Sequence, residues 1–459
     1  MEQNFFFYDL ETSGLNPRAD RIMQFAGQRT DMNLVPTGDP VNILVKMTED
    51  ALPSPCAINV TGITPQMTLA DGLSEPEFCR YILENVFAPN TIAVGYNTVR
   101  FDDEFMRALF WRNFQDPYEY EWKDGRSRWD ILDIVRLTRA LRPEGIEWPF
   151  TPEGKPTNRL ELITKLNGIS HEHAHDALSD VYATIAVAKL IRDHQPKLFE
   201  FLLKMRDKRA VKKLINLEDK KPFVYASGRY DNKYNKTTVA VPIAPGRNGN
   251  VLVYDLRYNL SDLLEKENAA ESEQDPSKAG KNKTKFFPIV KELCYNKCPA
   301  VAPLGVLDSD DGWQKISLDK GEVEKNLNDL FAHPEFAERM RSLYEARPEW
   351  PQASEPEAAL YDGFLNDKDR NLVGLVRSAD TMRLADLHPE FDDERLPELL
   401  LHYKGRNFPE SLSDTENEEW EKYRRARLES QAPKFLEELN KVTDDFTREE
   451  LKLYFQSLM

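Results

Sequence analysis

Apolar side chains fill four consecutive positions from Phe5 to Tyr8, and the run then alternates through Asp9, Leu10 and Glu11. Such a run fits the centre of a core strand, and runs rich in aromatic and β-branched residues predict strands over Asn4–Leu10, Arg21–Thr30, Val41–Met47 and Thr91–Tyr96. Between and after them, apolar positions three and four apart predict helices over Asp103–Asn113, Ile131–Leu141, Arg159–Leu166 and Asp176–Ile191. In the last of these, Leu178, Val181, Tyr182, Ile185 and Leu190 fall on one stripe, with Val181 and Tyr182 as its anchors. Strands mixed with helices over residues 1–192 predict an α/β domain built on a mixed sheet.

His194-Gln195-Pro196 punctuates the end of that unit. After a basic helical stretch the pattern changes to PFVYASGRY, KTTVAVPIAP, NVLVYDL and FFPIVKEL, short strand-like runs parted by Gly, Asn and Pro. They predict a small barrel or sandwich. Glu265–Lys285 has almost no apolar residue and is expected to be a mobile insertion. A second boundary is expected at Arg347–Ser354, and the chain from there to Met459 reads as helical and acidic. The expected domains are therefore 1–192, 196–346 and 352–459, in keeping with a length of 459 residues. The pattern shows no internal repeat.

A hydrophobic fraction of 41% and a charged fraction of 30% suit a soluble globular protein. No apolar stretch approaches the ~20 residues that span a bilayer. The start, MEQNFFFYDLE, has neither a basic lead-in nor a small-residue cleavage site, so no signal peptide is expected. Cys56, Cys79, Cys294 and Cys298 are read as reduced thiols of a cytoplasmic protein. The net charge of −17 argues against a nucleic-acid partner when taken whole. It is unevenly spread. Residues 189–221 carry eleven Lys/Arg against five Asp/Glu, and residues 277–297 carry six Lys against one Glu. Phosphates respond to such local charge, although solvated faces and a loose loop would give the same counts.

Successive strand side chains point to opposite faces, so Asp9 and Glu11 share one face. Two carboxylates that close repel unless a cation lies between them. Two further segments carry acids of the same kind: GYNTVRFDDE, with Asp102 at a helix start, and HAHDALSDVY, with His175 just before a helix and Asp180 inside it. Taken singly, Asp102 reads as a helix cap and Asp180 as a surface acid. Their order along the chain is what changes the reading.

Those three motifs resemble the DnaQ-like 3′→5′ exonucleases, in the subgroup whose third motif carries His. The likeness narrows with SRWDILD, LRPEGIEWP, RLELITKLNGI and AHDALSDVYATIAVAKL, and with ASG, NKCP, LYDGF and YKGRNFP further on. Together they resemble the bacterial exodeoxyribonuclease I family over the whole chain, the lysine-rich insertion excepted.

That resemblance implies a ribonuclease H-like exonuclease domain, an SH3-like barrel and a C-terminal helical domain, forming a C-shaped clamp. It implies Mg²⁺, with Mn²⁺ as a substitute, in a pair of ions that clamp an in-line phosphoryl displacement. Asp9, Glu11 and Asp180 would hold one ion. Asp102 would help hold the second with Asp9, and His175 would take a proton from the attacking water. Glu11 would touch the terminal 3′-hydroxyl and Arg159 a phosphate near the scissile bond. Arg107, Tyr118, Trp122, Arg136, Arg142, Asn158, Lys208 and Tyr361 would contact single-stranded DNA. Trp129 is assigned to the core.

The implied activity is processive release of 5′-deoxynucleoside monophosphates from 3′ ends, in DNA repair and recombination. The implied partners are single-stranded DNA and the acidic C-terminal tail of single-stranded-DNA-binding protein, met by a monomer with no membrane contact. An RNA-processing exonuclease of the same superfamily and a non-catalytic nucleic-acid-binding adaptor are the alternatives. The alternating His171, His173 and His175 also permit a zinc reading; without a fourth ligand nearby, His171 and His173 read as loop residues.

Overall fold

A computed structural model of the chain describes residues 2–171, 176–265, 286, 288–308, 311–347 and 352–459. His173, His175 and nearly all of the expected 265–285 insertion lie outside the described residues. The chain divides into two compact units. The first comprises residues 1–128, 171–185 and 351–459; the second comprises 129–170 and 186–350.

The first unit is organised on a five-stranded sheet of order β3-β2-β1-β4-β5, from β1 (Asn4–Thr12), β2 (Ile22–Thr30), β3 (Val41–Leu44), β4 (Thr91–Gly95) and β5 (Ser127–Asp130). Central β1 runs antiparallel to β2 and parallel to β4, so the sheet is mixed. Its side chains alternate. Phe6, Tyr8 and Leu10 enter a cluster with Phe25, Phe78, Phe87, Phe105, Leu109 and Phe110. Tyr8 stacks on Phe25 at 5.6 Å between ring centres, a contact worth ~0.5–1.5 kcal/mol beyond its buried area. The other face of the same strand presents Asp9 and Glu11, both only partly buried.

Three short helices that periodicity does not reveal follow β3: α1 (Pro55–Thr61), α2 (Pro65–Asp71) and α3 (Glu75–Tyr81). Each has a Ser or Thr at its N-cap (Ser54, Thr64, Ser74) with Pro at the start of the helix. The expected helices lie within three residues of expectation: α4 (Asp102–Arg112), α5 (Ile131–Leu141), α6 (Leu160–Leu166) and α7 (Ala177–His194), followed by α8 (Pro196–Lys204) and α9 (Lys208–Leu214).

The expected stripe of α7 is corrected in one respect. Val181 and Ile185 are buried, but Tyr182 is 41% exposed and the buried face is completed by small residues, Ala183 and Ala188 among them. Tyr182 is held instead through its hydroxyl, which donates to Gln28 of β2 at 3.1 Å. An amphipathic tyrosine reads as apolar in a sequence while its polar tip decides its place.

Residues 351–459 belong to the first unit. Leu428, Phe435, Leu439, Leu451 and Tyr454, from the helices Asp414–Leu439 and Asp445–Leu458, share one core with Met23, Met47, Leu52, Ile58 and Ile63.

The second unit carries a five-stranded sheet of order β10-β6-β7-β8-β9, antiparallel at each pairing, from β6 (Phe223–Ala226), β7 (Thr237–Pro245), β8 (Val251–Asp255), β9 (Val290–Leu293) and β10 (Ala300–Pro303). Phe223, Ala240, Val251, Val253, Leu293 and Val301 pack there with Met205, Val211 and Ile215 of the α8–α9 segment. Trp129 is 1% exposed and meets Phe199 edge to face, as the core assignment requires. Within the stretch read as β-rich, residues 320–331 are helical, started by Asp319, whose carboxylate accepts from the Glu322 amide.

Candidate active site

β4 stops at Gly95, and its pairing with β1 ends at Phe7↔Val94. Beyond that point β1 has no parallel neighbour, and an unpaired buried amide there would be costly. The Asp102 carboxylate fills the gap by accepting from the Leu10 amide at 3.1 Å. Gly95 lets the chain turn close to β1: a Cβ there would lie 2.7 Å from the Tyr8 carbonyl oxygen. Asp102 is therefore brought to the same end of β1 as Asp9 and Glu11, and it opens α4 at 3% exposure.

Asp180, in the first turn of α7, completes the group. Ligand oxygens of Asp9, Glu11 and Asp180 all lie within 4.8 Å of one another. The electrostatics follow from that crowding. Burial pushes the Asp9 carboxyl well above its usual range, and Asp102, Glu11 and Asp180 push it further. Burial, then Asp180, Asp102 and Asp176, raise Glu11 to about 8. These shifts are the cost of burying carboxylates and of gathering like charges. A divalent cation removes it, and an all-carboxylate donor set suits a hard ion such as Mg²⁺ or Mn²⁺.

His171, expected to be a loop residue, turns back to the cluster. Its Nε2 lies 2.5 Å from an Asp180 carboxylate oxygen, and its side chain is 4% exposed. No sequence spacing announces that contact. The expected base, His175, lies outside the described residues.

A cavity of about 810 Å³ is lined by Gln24, Asn42, Ile63, Met67 and Asp176 among others, and by none of the four acids. Gln24 is the cross-strand partner of Glu11.

The expected strand contacts of the first unit are arranged in tiers. Arg107 is 5% exposed; its Nε meets Glu121 at 2.6 Å and another guanidinium nitrogen meets Glu104 at 2.9 Å. Its charge is thus compensated internally, and its guanidinium lies 5.5 Å from the centre of the Tyr118 ring. Tyr361 donates to Glu104 and lies 3.3 Å from an Arg107 nitrogen. Trp122 is 65% exposed. Tyr118 and Trp122 line a cavity of about 490 Å³ together with Phe364, Arg370 and Arg377. Phe364 is 88% exposed, and its position in LYDGF was the one available sequence sign of it.

In the second unit, Arg159 and Lys208 are exposed, and Arg159 pairs with Glu161. Arg136 pairs with Asp133 at 2.5 Å. Arg142 donates to the Val306 carbonyl at 3.2 Å, and Asn158 accepts from Arg139 at 3.2 Å.

A family model for an exonuclease domain matches residues 6–188, one for the exonuclease I SH3-like domain matches 206–346, and one for the exonuclease I C-terminal domain matches 354–457. Exodeoxyribonuclease I of Haemophilus influenzae is 40% identical over 455 residues, covering 98% of this chain and 96% of the relative. A crystal structure of Escherichia coli exonuclease I in complex with a dA16 oligonucleotide superposes with a TM-score of 0.91 at 35% identity, covering both chains fully. A structure of SSB/exonuclease I in complex with an inhibitor superposes at 0.89, with 35% identity and full cover of both chains. The chain belongs to the exodeoxyribonuclease I family.

Proposed function

We propose that the protein is a divalent-metal-dependent 3′→5′ exonuclease that degrades single-stranded DNA to 5′-deoxynucleoside monophosphates. The observation that carries this reading is the convergence of Asp9, Glu11, Asp102 and Asp180, from three separate segments, at one end of β1. Asp9, Glu11 and Asp180 would hold one Mg²⁺ and Asp9 with Asp102 a second. When bound, such a pair supplies Lewis-acid stabilisation of the attacking and leaving oxygens of an in-line displacement.

The chain's own residues do the rest. β1 is the rigid mount that keeps the acids at fixed spacing. Glu11 would orient the terminal 3′-hydroxyl. Arg159 would hold a backbone phosphate. His175 would take the proton of the attacking water, since its ordinary pKa lies near working pH. Tyr118, Trp122 and Tyr361 would stack on bases, with Arg107 as their buried support; Arg136, Arg142, Asn158 and Lys208 would follow the backbone.

The SSB complex formed by a similar structure supports a like partner here, met through the acidic tail of single-stranded-DNA-binding protein. The domains would span 1–192, 196–346 and 352–459, a division supported by the family-model matches at 6–188, 206–346 and 354–457. A cytoplasmic monomer acting processively in DNA repair fits these properties. Among the described residues, no helix is long and apolar enough to cross a membrane.

End-labelled single- and double-stranded DNA and RNA of equal length test the reading. Mg²⁺-dependent shortening of single-stranded DNA from its 3′ end is expected, abolished by chelation. Preference for RNA would move the assignment to an RNA-processing enzyme. Digestion that continues unchanged in Asp9→Ala would remove the acid cluster from the chemistry.

A further inference from the structure

We propose that Asp103, the residue after Asp102, is a positioning residue that fixes Asp102 against Asp9. The inference rests on the metal-centre reading above. Asp103 is 1% exposed. One of its oxygens accepts from the Tyr8 hydroxyl at 2.6 Å, and the other pairs with an Arg128 guanidinium nitrogen at 2.6 Å. The Tyr120 hydroxyl lies 3.5 Å from the first oxygen.

Tyr8 precedes Asp9 on β1, and Leu10 follows it. Both flanks of Asp9 are therefore tied to the first two residues of α4: Tyr8 to Asp103 through its hydroxyl, and Leu10 to Asp102 through its amide. Two attachments, one on each side of Asp9, prevent α4 from sliding or turning against β1. Arg128 of β5 adds a third anchor and is itself braced by Glu121 at 3.3 Å.

The placement also shows what Asp103 is not. Tyr8 leaves β1 on the face opposite Asp9, so the Asp103 carboxylate lies behind the strand among Tyr8, Tyr120 and Arg128, away from the acid cluster. It is held by donors on both oxygens. A buried ion pair is a poor source of net stability compared with apolar packing, whereas a directed pair fixes geometry. Groups that orient metal ligands change metal affinity by ~10–100-fold when altered.

The test uses full-length protein with Tyr8→Phe and Asp103→Asn. Mn²⁺ binding is measured by titration calorimetry without DNA, kcat and KM on single-stranded DNA, oligonucleotide affinity in EDTA, and the thermal midpoint. Asp103→Asn is expected to weaken Mn²⁺ binding ~10-fold and to lower kcat by a similar factor, with oligonucleotide affinity within about twofold of the parent. Tyr8→Phe removes one hydroxyl, and a loss of ~3-fold in the same two quantities is expected. It carries the test alone if Asp103→Asn does not fold.

Mn²⁺ affinity and kcat per folded molecule equal to the parent's in the folded variants would overturn the inference while leaving the metal centre in place. A parent that binds no Mn²⁺ would overturn both.

Discussion

Two groups of charged side chains in the first unit differ in one respect that separates a site from a scaffold. In the acid cluster, Asp9, Glu11, Asp102 and Asp180 face one another, and the Asp9 and Glu11 carboxyls are forced upward. The second group is buried more deeply. Arg21 meets Asp50 and Glu357, each at 3.2 Å; Arg406 meets Asp50 at 3.1 Å and Glu357 at 2.8 Å; Arg427 meets Glu355 at 3.0 Å and also reaches Glu357. There the Asp50 carboxyl is held well below its usual range, because Arg406, Arg21 and Arg427 outweigh its burial. Charge that is compensated within the chain joins residues 21–50 to residues 355–427. Carboxylates that crowd one another, as those of Asp9 and Glu11 do, are what a bound cation would relieve.

The sharpest way to break this contrast is to remove one acid from each group. Asp9→Ala removes a shared ligand and should cut the rate on single-stranded DNA by ~10³-fold or more, several kcal/mol of transition-state stabilisation. Its thermal midpoint without metal should hold or rise, because a repulsive charge has gone. Glu357→Gln should do the reverse. It leaves buried arginines short of a partner and should cost ~3–5 kcal/mol in urea unfolding, with kcat per folded molecule close to the parent's. If Asp9→Ala destabilises and Glu357→Gln abolishes chemistry, the two groups have been assigned the wrong way round.

A pH titration sharpens the comparison further. Glu11 moves from a usual value of 4.5 to about 8 in the folded, metal-free protein. Its folded pKa is raised, so its contribution to stability is complete below 4.5 and is lost as pH rises through about 8. Metal-free protein should therefore lose on the order of 2–3 kcal/mol between pH 5 and pH 8 from this group, after allowance for solvent screening. Mg²⁺ should raise the thermal midpoint more at pH 8 than at pH 6. Scanning calorimetry at both pH values, with Mg²⁺ and with EDTA, checks this, and Glu11→Gln should flatten the dependence.

The smallest expected effect lies on the strand path. Trp122 is exposed and its ring is free to stack, so Trp122→Ala should weaken oligonucleotide binding by ~1–3 kcal/mol with little change in stability. Fluorescence anisotropy with a labelled oligonucleotide in EDTA measures it.

Much of this arrangement was legible in the sequence, and the reasons are local. Ile131–Leu141 forms the helix its apolar spacing predicts, and Asp130 caps it by accepting from the Leu132 amide. The shared face of Asp9 and Glu11 follows from strand alternation alone. Tertiary contacts were not legible. His171 reaches Asp180, Arg107 is neutralised by distant Glu121 as well as by its helix neighbour Glu104, and Tyr182 trades burial for a hydrogen bond to Gln28. Nothing in the sequence singles out Asp103, and only the folded chain shows its carboxylate turned behind β1. The short helices α1 to α3 are marked in the sequence by their caps and prolines, not by an apolar period.

The central claim is that four carboxylates are gathered in order to hold cations. The most direct measurement is an anomalous difference map from crystals soaked in Mn²⁺. Strong peaks between the carboxylates of Asp9, Glu11, Asp102 and Asp180, lost in Asp9→Ala crystals, are the predicted result. A map with no peak in that cluster at saturating Mn²⁺, in protein that still digests DNA, would contradict it.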